Sequence, residues 1–135
     1  MENLINIKII DYGMGNIQSV KNAFELLRCK VEVITDPSNI KSADGIILPG
    51  VGAFGNAIKN LKERKLIEPL KEAVIDQKVA LLGICLGMQL LADNSEEGGN
   101  NEGLSFIAGK ICKIPYMQGY RLPHVGWNDV AVKKK

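Results

Sequence analysis

The period of the apolar residues switches back and forth along this chain, and that alternation most narrows what it can fold into. "INIKII" (5–10) is β-branched and ends at Asp11, whereas "NIQSVKNAFELLR" (16–28) sets Ile17, Val20, Phe24 and Leu27 at three- and four-residue steps. The first pattern fits a strand and the second an amphipathic helix. "KVEVIT" (30–35) alternates as a strand does, and "DGIILPG" (44–50) is a short apolar strand stopped by Pro49-Gly50. Helical spacing follows over about 53–76; Pro69 interrupts it and is placed to open a second helix, because proline is tolerated in a first turn. "VALLGI" (79–84) is again a wholly apolar strand, "LGMQLLAD" (86–93) a helix, and "NSEEGGNNEG" (94–103) a polar, glycine-rich loop. "IAGKICKI" (107–114) and "WNDVAVK" (127–133) read as strands of antiparallel type. Strands that alternate with helices and are apolar on both faces predict a doubly wound, mostly parallel α/β sheet flanked by helices, a flavodoxin-like arrangement. No repeat or linker divides the chain, so 1–135 reads as a single domain, long enough to bury a real core.

Composition narrows the function classes. The balance of 17 Lys+Arg against 15 Asp+Glu leaves a formal charge of +2, with no broad pull toward nucleic acid or an anionic membrane. Lys133, Lys134 and Lys135 read as a solvated end. No apolar run approaches the ~20 residues of a membrane span, and Glu2 stands where a basic leader would begin. Cys29, Cys85 and Cys112 make an odd count without C-x-x-C spacing, so neither a disulfide framework nor a metal site is expected, and a reducing cytoplasm is.

Parallel sheets of this kind carry their sites in the loops at the carboxyl ends of the strands. Three glycine-bearing segments fall there: Asp11–Asn16, Pro49–Gly55 and Gly83–Gly87. "GVGAFG" (50–55) matches the dinucleotide fingerprint G-x-G-x-x-G, but it follows the third strand, directly behind Pro49, and Cys85 stands where the next strand should end in an acid. "DYGMGN" (11–16) has Gly13 and Gly15 but Gln18 in place of a third glycine; Asp36, about 20 residues on, lies where a ribose-binding acid would. Tight turns without a ligand are the plain alternative. A third reading is an oxyanion hole, since glycines let backbone N–H groups turn outward and approach a ligand closely.

That third reading needs a nucleophile on a neighbouring loop. Most lone cysteines are packed core thiols, but strand, sharp turn and helix around "G-I-C-L-G" (83–87) follow the logic of the nucleophile elbow G-x-S-x-G, with sulfur for oxygen. A helix opening near Leu86 would aim free N–H groups at the sulfur and favour thiolate. Cys29 at a helix end and Cys112 in an expected strand keep the core-thiol reading.

"DYGMGN", "PGVGAFG", "GICLGMQLL", "SEEG" and "PHVGWN" occur in the order and approximate spacing of the glutaminase subunits of imidazole glycerol phosphate synthase, within the class I (triad-type) glutamine amidotransferases. The resemblance covers essentially the whole chain. It implies that Cys85 attacks the side-chain amide of glutamine to form a glutamyl thioester. It further implies that the N–H groups of Val51 and Leu86 hold the oxyanion, that Gly50 and Gly52 shape the oxyanion strand, and that Gln89 helps grip the substrate. The implied partner is a (β/α)₈-barrel cyclase, with Gly13, Asn16, Trp127 and Asn128 as candidate interface residues. No cofactor is implied. "GLSFIAG" (103–109) departs modestly from the family's wording.

A cysteine amidase also needs a group that takes the thiol proton and protonates departing ammonia, a task for histidine. The single histidine, His124 in "LPHVGWN", is not catalytic in the family, whose catalytic His and orienting Glu lie in a segment beyond Lys135. The chain thus reads as the N-terminal portion of such a domain, with His124 structural. Two other functions compete: a binding or regulatory module that keeps the glutamine pocket without turnover, and a glutaminase subunit serving surface-polysaccharide sugar amidation.

Overall fold

The computed structural model describes residues 4–134. Its centre is a parallel four-stranded sheet of β1 (Asn6–Ile10), β2 (Lys30–Ile34), β3 (Gly45–Leu48) and β4 (Ala80–Gly83), in the order β2-β1-β3-β4. Ile9 is in register with Val33 on one side and Ile47 on the other, and Leu48 with Gly83. The order reverses direction between β1 and β3, the topological switch at which α/β sheets open a crevice at their carboxyl edge.

Alternation along β1 and β3 separates two apolar layers. Ile7, Ile9 and Ile47 face α1 (Ile17–Leu26), which packs Ile17, Val20 and Phe24 against them. Asn16 caps α1 by accepting from the Ser19 N–H. Ile10, Ile46 and Leu48 point the other way, into the larger core, where α2 (Phe54–Glu63) contributes Phe54, Ala57, Ile58 and Leu61 and α3 (Ile67–Lys71) contributes Leu70. Helices on both faces make the sheet doubly wound, as the sequence predicts. Pro69 stands in the first turn of α3, which runs on into a π-helical turn over Glu72–Asp76. Lys8, 5% exposed in the middle of β1, is satisfied by donating Nζ to the carbonyls of Asn39 and Lys41 beside the 3₁₀ turn Pro37–Ile40, with the Glu32 carboxylate 3.8 Å away.

Several expectations need correcting. β4 is not buried on both faces: it is the sheet's edge among the described residues, and Leu82 is 51% exposed. The helix expected over 86–93 is a single turn, α4 (Leu86–Gln89), because the chain bends back through Leu90 and Leu91 to bury both. The loop 94–103 contains two short strands, β5 (Asn94–Ser95) and β6 (Asn101–Glu102), paired antiparallel. Of the strand expected over 107–114 only β7 (Lys110–Ile111) forms, and it pairs parallel with β5. Residues 127–133 are not a strand at all. Their alternation has no partner to bury it, and Val130 and Val132 are exposed.

Candidate active site

β1, β3 and β4 run parallel, so the loops that follow them share one edge of the sheet. The sharpest of these turns is at Cys85. The Ile84 N–H donates to the Leu48 carbonyl at 3.0 Å, extending the β3–β4 pairing by one residue before the chain reverses. Cys85 takes φ +54 and ψ −115, a backbone conformation costly for any residue with a side chain. Its carbonyl accepts from the N–H groups of Met88 (3.0 Å) and Gln89 (3.2 Å), which opens α4 at once.

Gly83 and Gly87 make that turn possible. A Cβ on Gly83 would lie 2.6 Å from the Met88 Cα, and one on Gly87 would run into the Leu48 carbonyl. The elbow therefore packs backbone on backbone against the end of β3, and its thiol is exposed. The helix expected to aim free N–H groups at the sulfur is a single turn long.

The second loop, Pro49–Gly52, passes directly beside this elbow. A Cβ on Gly50 would sit 2.9 Å from the Gly87 nitrogen and 3.0 Å from the Leu86 Cβ. The backbone N–H groups of Val51 and Leu86 have no protein acceptor among the described residues. Gly52 has φ +111, which only glycine adopts without strain. Beyond it α2 begins at Ala53, which cannot cap it; the Glu97 carboxylate instead accepts from the Phe54 N–H at 3.1 Å. Ser95 Oγ in turn accepts from the Glu97 N–H at 3.1 Å, tying this third loop to β5.

Together these segments enclose an open cleft of about 520 Å³ lined by Gly52, Cys85, Leu86 and Gln89 on one side. Ser95, Glu96, Glu97 and Gly98 line a second side, and Ile111, Cys112 and Lys113 a third. Of the residues singled out from sequence, Gly52, Cys85, Leu86 and Gln89 meet in this cleft; Val51 and the buried Gly50 precede Gly52 on the same loop but do not line it. Glu96 is a pocket residue that the string "SEEG" does not reveal, because a polar run gives no sign of which way it faces. It pairs with Lys110, and that hydrogen bond and the Lys110 charge hold its carboxyl below the ordinary carboxylate range. Cys112 is a further correction. It is an exposed thiol on the cleft wall, not a packed core thiol, since only two residues of its expected strand pair. Cys29 is half-buried against the α1 layer.

The remaining candidates lie elsewhere. Asp36, weighed as a ribose-binding acid, caps the 3₁₀ turn instead: its Oδ1 accepts from the Ser38 hydroxyl at 2.7 Å and N–H at 2.9 Å, and these bonds lower its pKa. Gly13 and Asn16 are exposed in the loop after β1, Asn16 serving also as the α1 cap. Trp127 is fully exposed, and Asn128 Nδ2 lies 2.7 Å from His124 Nε2. No hydrogen bond among the described residues ties this stretch to the Gly13–Asn16 loop, and His124 is not among the cleft residues. Among the described residues no group of three or more His, Cys, Asp or Glu could hold a metal ion, and no helix is long and apolar enough to cross a membrane.

Comparison with known proteins matches the sequence to one family. Residues 8–133 match the glutamine amidotransferase class-I family. A relative from Moorella thermoacetica, named imidazole glycerol phosphate synthase subunit HisH, is 50% identical over 124 residues, covering 92% of this chain and 58% of its own length. HisH 1 of Campylobacter jejuni is 46% identical over 129 residues, covering 96% of this chain and 64% of its own. The chain thus spans roughly three-fifths of the length of these curated relatives. In fold it is similar to a crystal structure of a glutamine amidotransferase, with a TM-score of 0.63 and 19% identity over 73% of this chain and 51% of that one. The parallel sheet with its switch-point cleft, and the match across nearly the whole chain, agree: this chain belongs to the class-I glutamine amidotransferase family.

Proposed function

We propose that this chain carries the glutamine pocket and the cysteine nucleophile of a glutaminase that feeds ammonia to a synthase partner in histidine biosynthesis. The observation that carries the reading is the strained elbow at Cys85: a non-glycine residue at φ +54, its thiol exposed in a cleft shared with Gly52, Leu86 and Gln89. Backbone strain of this sort persists only where the surroundings enforce it, and it clusters at reacting groups.

In this mechanism the Cys85 thiolate attacks the amide carbon of a glutamine side chain. The carbonyl oxygen becomes an oxyanion, and the N–H groups we assign to receive it are those of Val51 and Leu86, neither of which has a protein acceptor among the described residues. Losing one such donor typically costs about 10²–10³ in kcat. Collapse of the tetrahedral species, its nitrogen protonated by the general acid–base group that took the thiol proton, expels ammonia and leaves a γ-glutamyl thioester on Cys85, which water then hydrolyses to glutamate and the free thiol. Gln89 lines the cleft beside the sulfur and serves to hold the substrate amide; Gly50 and Gly52 let the oxyanion strand approach. Glu96 and the loop around it form the wall suited to the substrate's charged amino-acid end. The family resemblance assigns the general base to a histidine in a segment beyond Lys135; His124 is not a cleft residue. The relatives' name supplies the synthase partner. Gly13, Asn16, Trp127 and Asn128 are the residues we propose for its docking face, and a (β/α)₈ cyclase is the form we propose for it.

The test is glutamine hydrolysis by the full-length protein with and without its synthase partner, in wild type and Cys85→Ala. Turnover that requires Cys85 and rises with the partner is the expected result; turnover surviving Cys85→Ala would overturn the reading.

A further inference from the structure

Tyr12 follows β1 at the switch point and is completely buried. Its ring belongs to the larger core, a role phenylalanine would fill equally well. Its hydroxyl is not needed for packing: it donates to the Pro49 carbonyl at 2.7 Å, 37 residues away in sequence. Pro49 has no N–H, so its carbonyl is the one backbone group through which this residue can be anchored. The same hydroxyl lies against Gly50, in the space a Cβ there would need. The space a Cβ on Gly50 would need is thus closed off jointly by the Tyr12 oxygen and the Leu86–Gly87 turn. Tyr12 is itself fixed, its carbonyl accepting from Asn60 Nδ2 on α2 at 3.1 Å.

We propose that Tyr12 is a positioning residue for the oxyanion strand, its hydroxyl fixing the Pro49–Gly50 peptide and so aiming the next N–H, that of Val51. This rests on the glutaminase reading above. Burial, and secondarily the nearby Cys85, push the Tyr12 pKa far above its ordinary value, so the group stays a neutral donor throughout the working range. Without it, a strand carrying two glycines in four residues could rotate its peptides at little cost. The donor would then be present but misaimed, and misplacement on the order of 1 Å can cost ~10²-fold in rate.

The experiment compares Tyr12→Phe with wild type in the full-length protein assembled with its synthase partner, measuring kcat and KM for glutamine and the rate of Cys85 alkylation by iodoacetamide. Alkylation is a direct displacement that forms no oxyanion, so it reports an intact elbow and nothing of the Val51 N–H. Expected are a fall of about ten- to a hundredfold in kcat, a KM within about threefold and alkylation within about twofold of wild type. A kcat within about twofold of wild type, or alkylation falling in step with kcat, would overturn the proposal. Should Tyr12→Phe fail to fold, Tyr12→Met carries the same test, since a flexible thioether fills irregular core space without a hydroxyl. A wild-type protein without glutaminase activity would overturn the glutaminase reading and this proposal together, whereas an active wild type with an equally active Tyr12→Phe overturns this proposal alone.

Discussion

The carbonyl of Leu48 occupies the space that a side chain at Gly87 would need, with the Leu48 carbonyl carbon 2.7 Å from the position of a Cβ. The end of β3 and the first turn of α4 therefore meet through bare backbone, and Cys85 is raised above that contact. Gly87→Ala forces one of the two backbones to move. We expect a loss of about 3 kcal/mol or more in stability, beyond the usual overpacking range, read by urea denaturation. Gly126→Ala, which meets nothing within 4 Å, is the matched control and should stay within about 0.5 kcal/mol of wild type. Equal stabilities for the two variants would show that the elbow is not packed this tightly.

Thiol reactivity separates pocket chemistry from exposure. Cys85 and Cys112 are both exposed and line the same cleft, while Cys29 is half-buried. A generic alkylating agent should label both exposed thiols. A glutamine-shaped electrophile should label Cys85 alone, because in the proposed mechanism it is the elbow sulfur, next in the chain to the Leu86 N–H proposed as an oxyanion donor. Peptide mapping by mass spectrometry reads the outcome; preferential capture at Cys112 or Cys29 by the glutamine mimic would remove Cys85 from the nucleophile's role.

The strands, their order along the chain and the three glycine loops were legible because a parallel sheet stamps a local signature on sequence. Short apolar runs mark its strands, buried along β1 and β3, and β1, β3 and β4 lead into turns that contain glycine. The segment 84–88 was legible for a related reason, since a backbone contact as close as that of Gly87 with Leu48 tolerates no other residue. What failed was whatever depends on partners distant in sequence. Alternation at 127–133 resembles a strand, yet a strand needs a neighbour, and none of the described residues supplies one. "SEEG" looked like solvent loop because nothing local says that Glu97 caps a helix 43 residues earlier or that Glu96 faces the cleft. Tyr12 stands in the sequence only as part of the "DYGMGN" loop, and its hydroxyl bond to Pro49 has no sequence signal at all.

The Glu96–Lys110 pair gives the cleft wall a pH signature. The hydrogen bond and ion pair lower the Glu96 pKa below its ordinary 4.5 and raise that of Lys110 above 10.5. Whatever the pair contributes is present above the ordinary Glu value and fades as pH falls through the depressed Glu96 value. At the alkaline end it persists below the ordinary Lys value and is lost as pH rises through the raised Lys110 value. Both groups are exposed, so the effect belongs to local order in the β5–β7 pairing and not to global stability. In Lys110→Ala the Glu96 carboxyl should titrate upward toward the ordinary range, followed by its carbon chemical shift; an unchanged midpoint would show that the pair does not persist in solution.

Trp127 is fully exposed, so its removal should cost the fold nothing: Trp127→Ala should melt within about 0.5 kcal/mol of wild type. If the docking face includes it, the same variant should bind the synthase partner more weakly by about 2 kcal/mol or more, as aromatic anchors do. Calorimetric titration against the partner reads this directly. Unchanged affinity would take Trp127 off the docking face.

The last prediction concerns turnover by the 135-residue chain itself. Cys85 is exposed at the elbow, so a single covalent event at sulfur needs only an accessible thiol. A catalytic cycle needs more: ammonia must leave protonated, and the thioester must meet an activated water. The one histidine cannot be assigned that work from where it stands, because His124 faces Asn128 in the exposed stretch and is not among the residues lining the cleft. Loss of a general acid–base group typically costs about 10²–10⁴-fold, and catalytic groups that act as a unit can cost ~10⁶ together. The 135-residue chain should therefore bind glutamine weakly and release ammonia at a negligible rate, even with the synthase partner present, and His124→Ala should change nothing. A chain extended to the length of its HisH relatives, assayed beside it, should turn over. Comparable ammonia release from the two, abolished by His124→Ala, would mean that the exposed stretch folds back over the cleft and that His124 is the base.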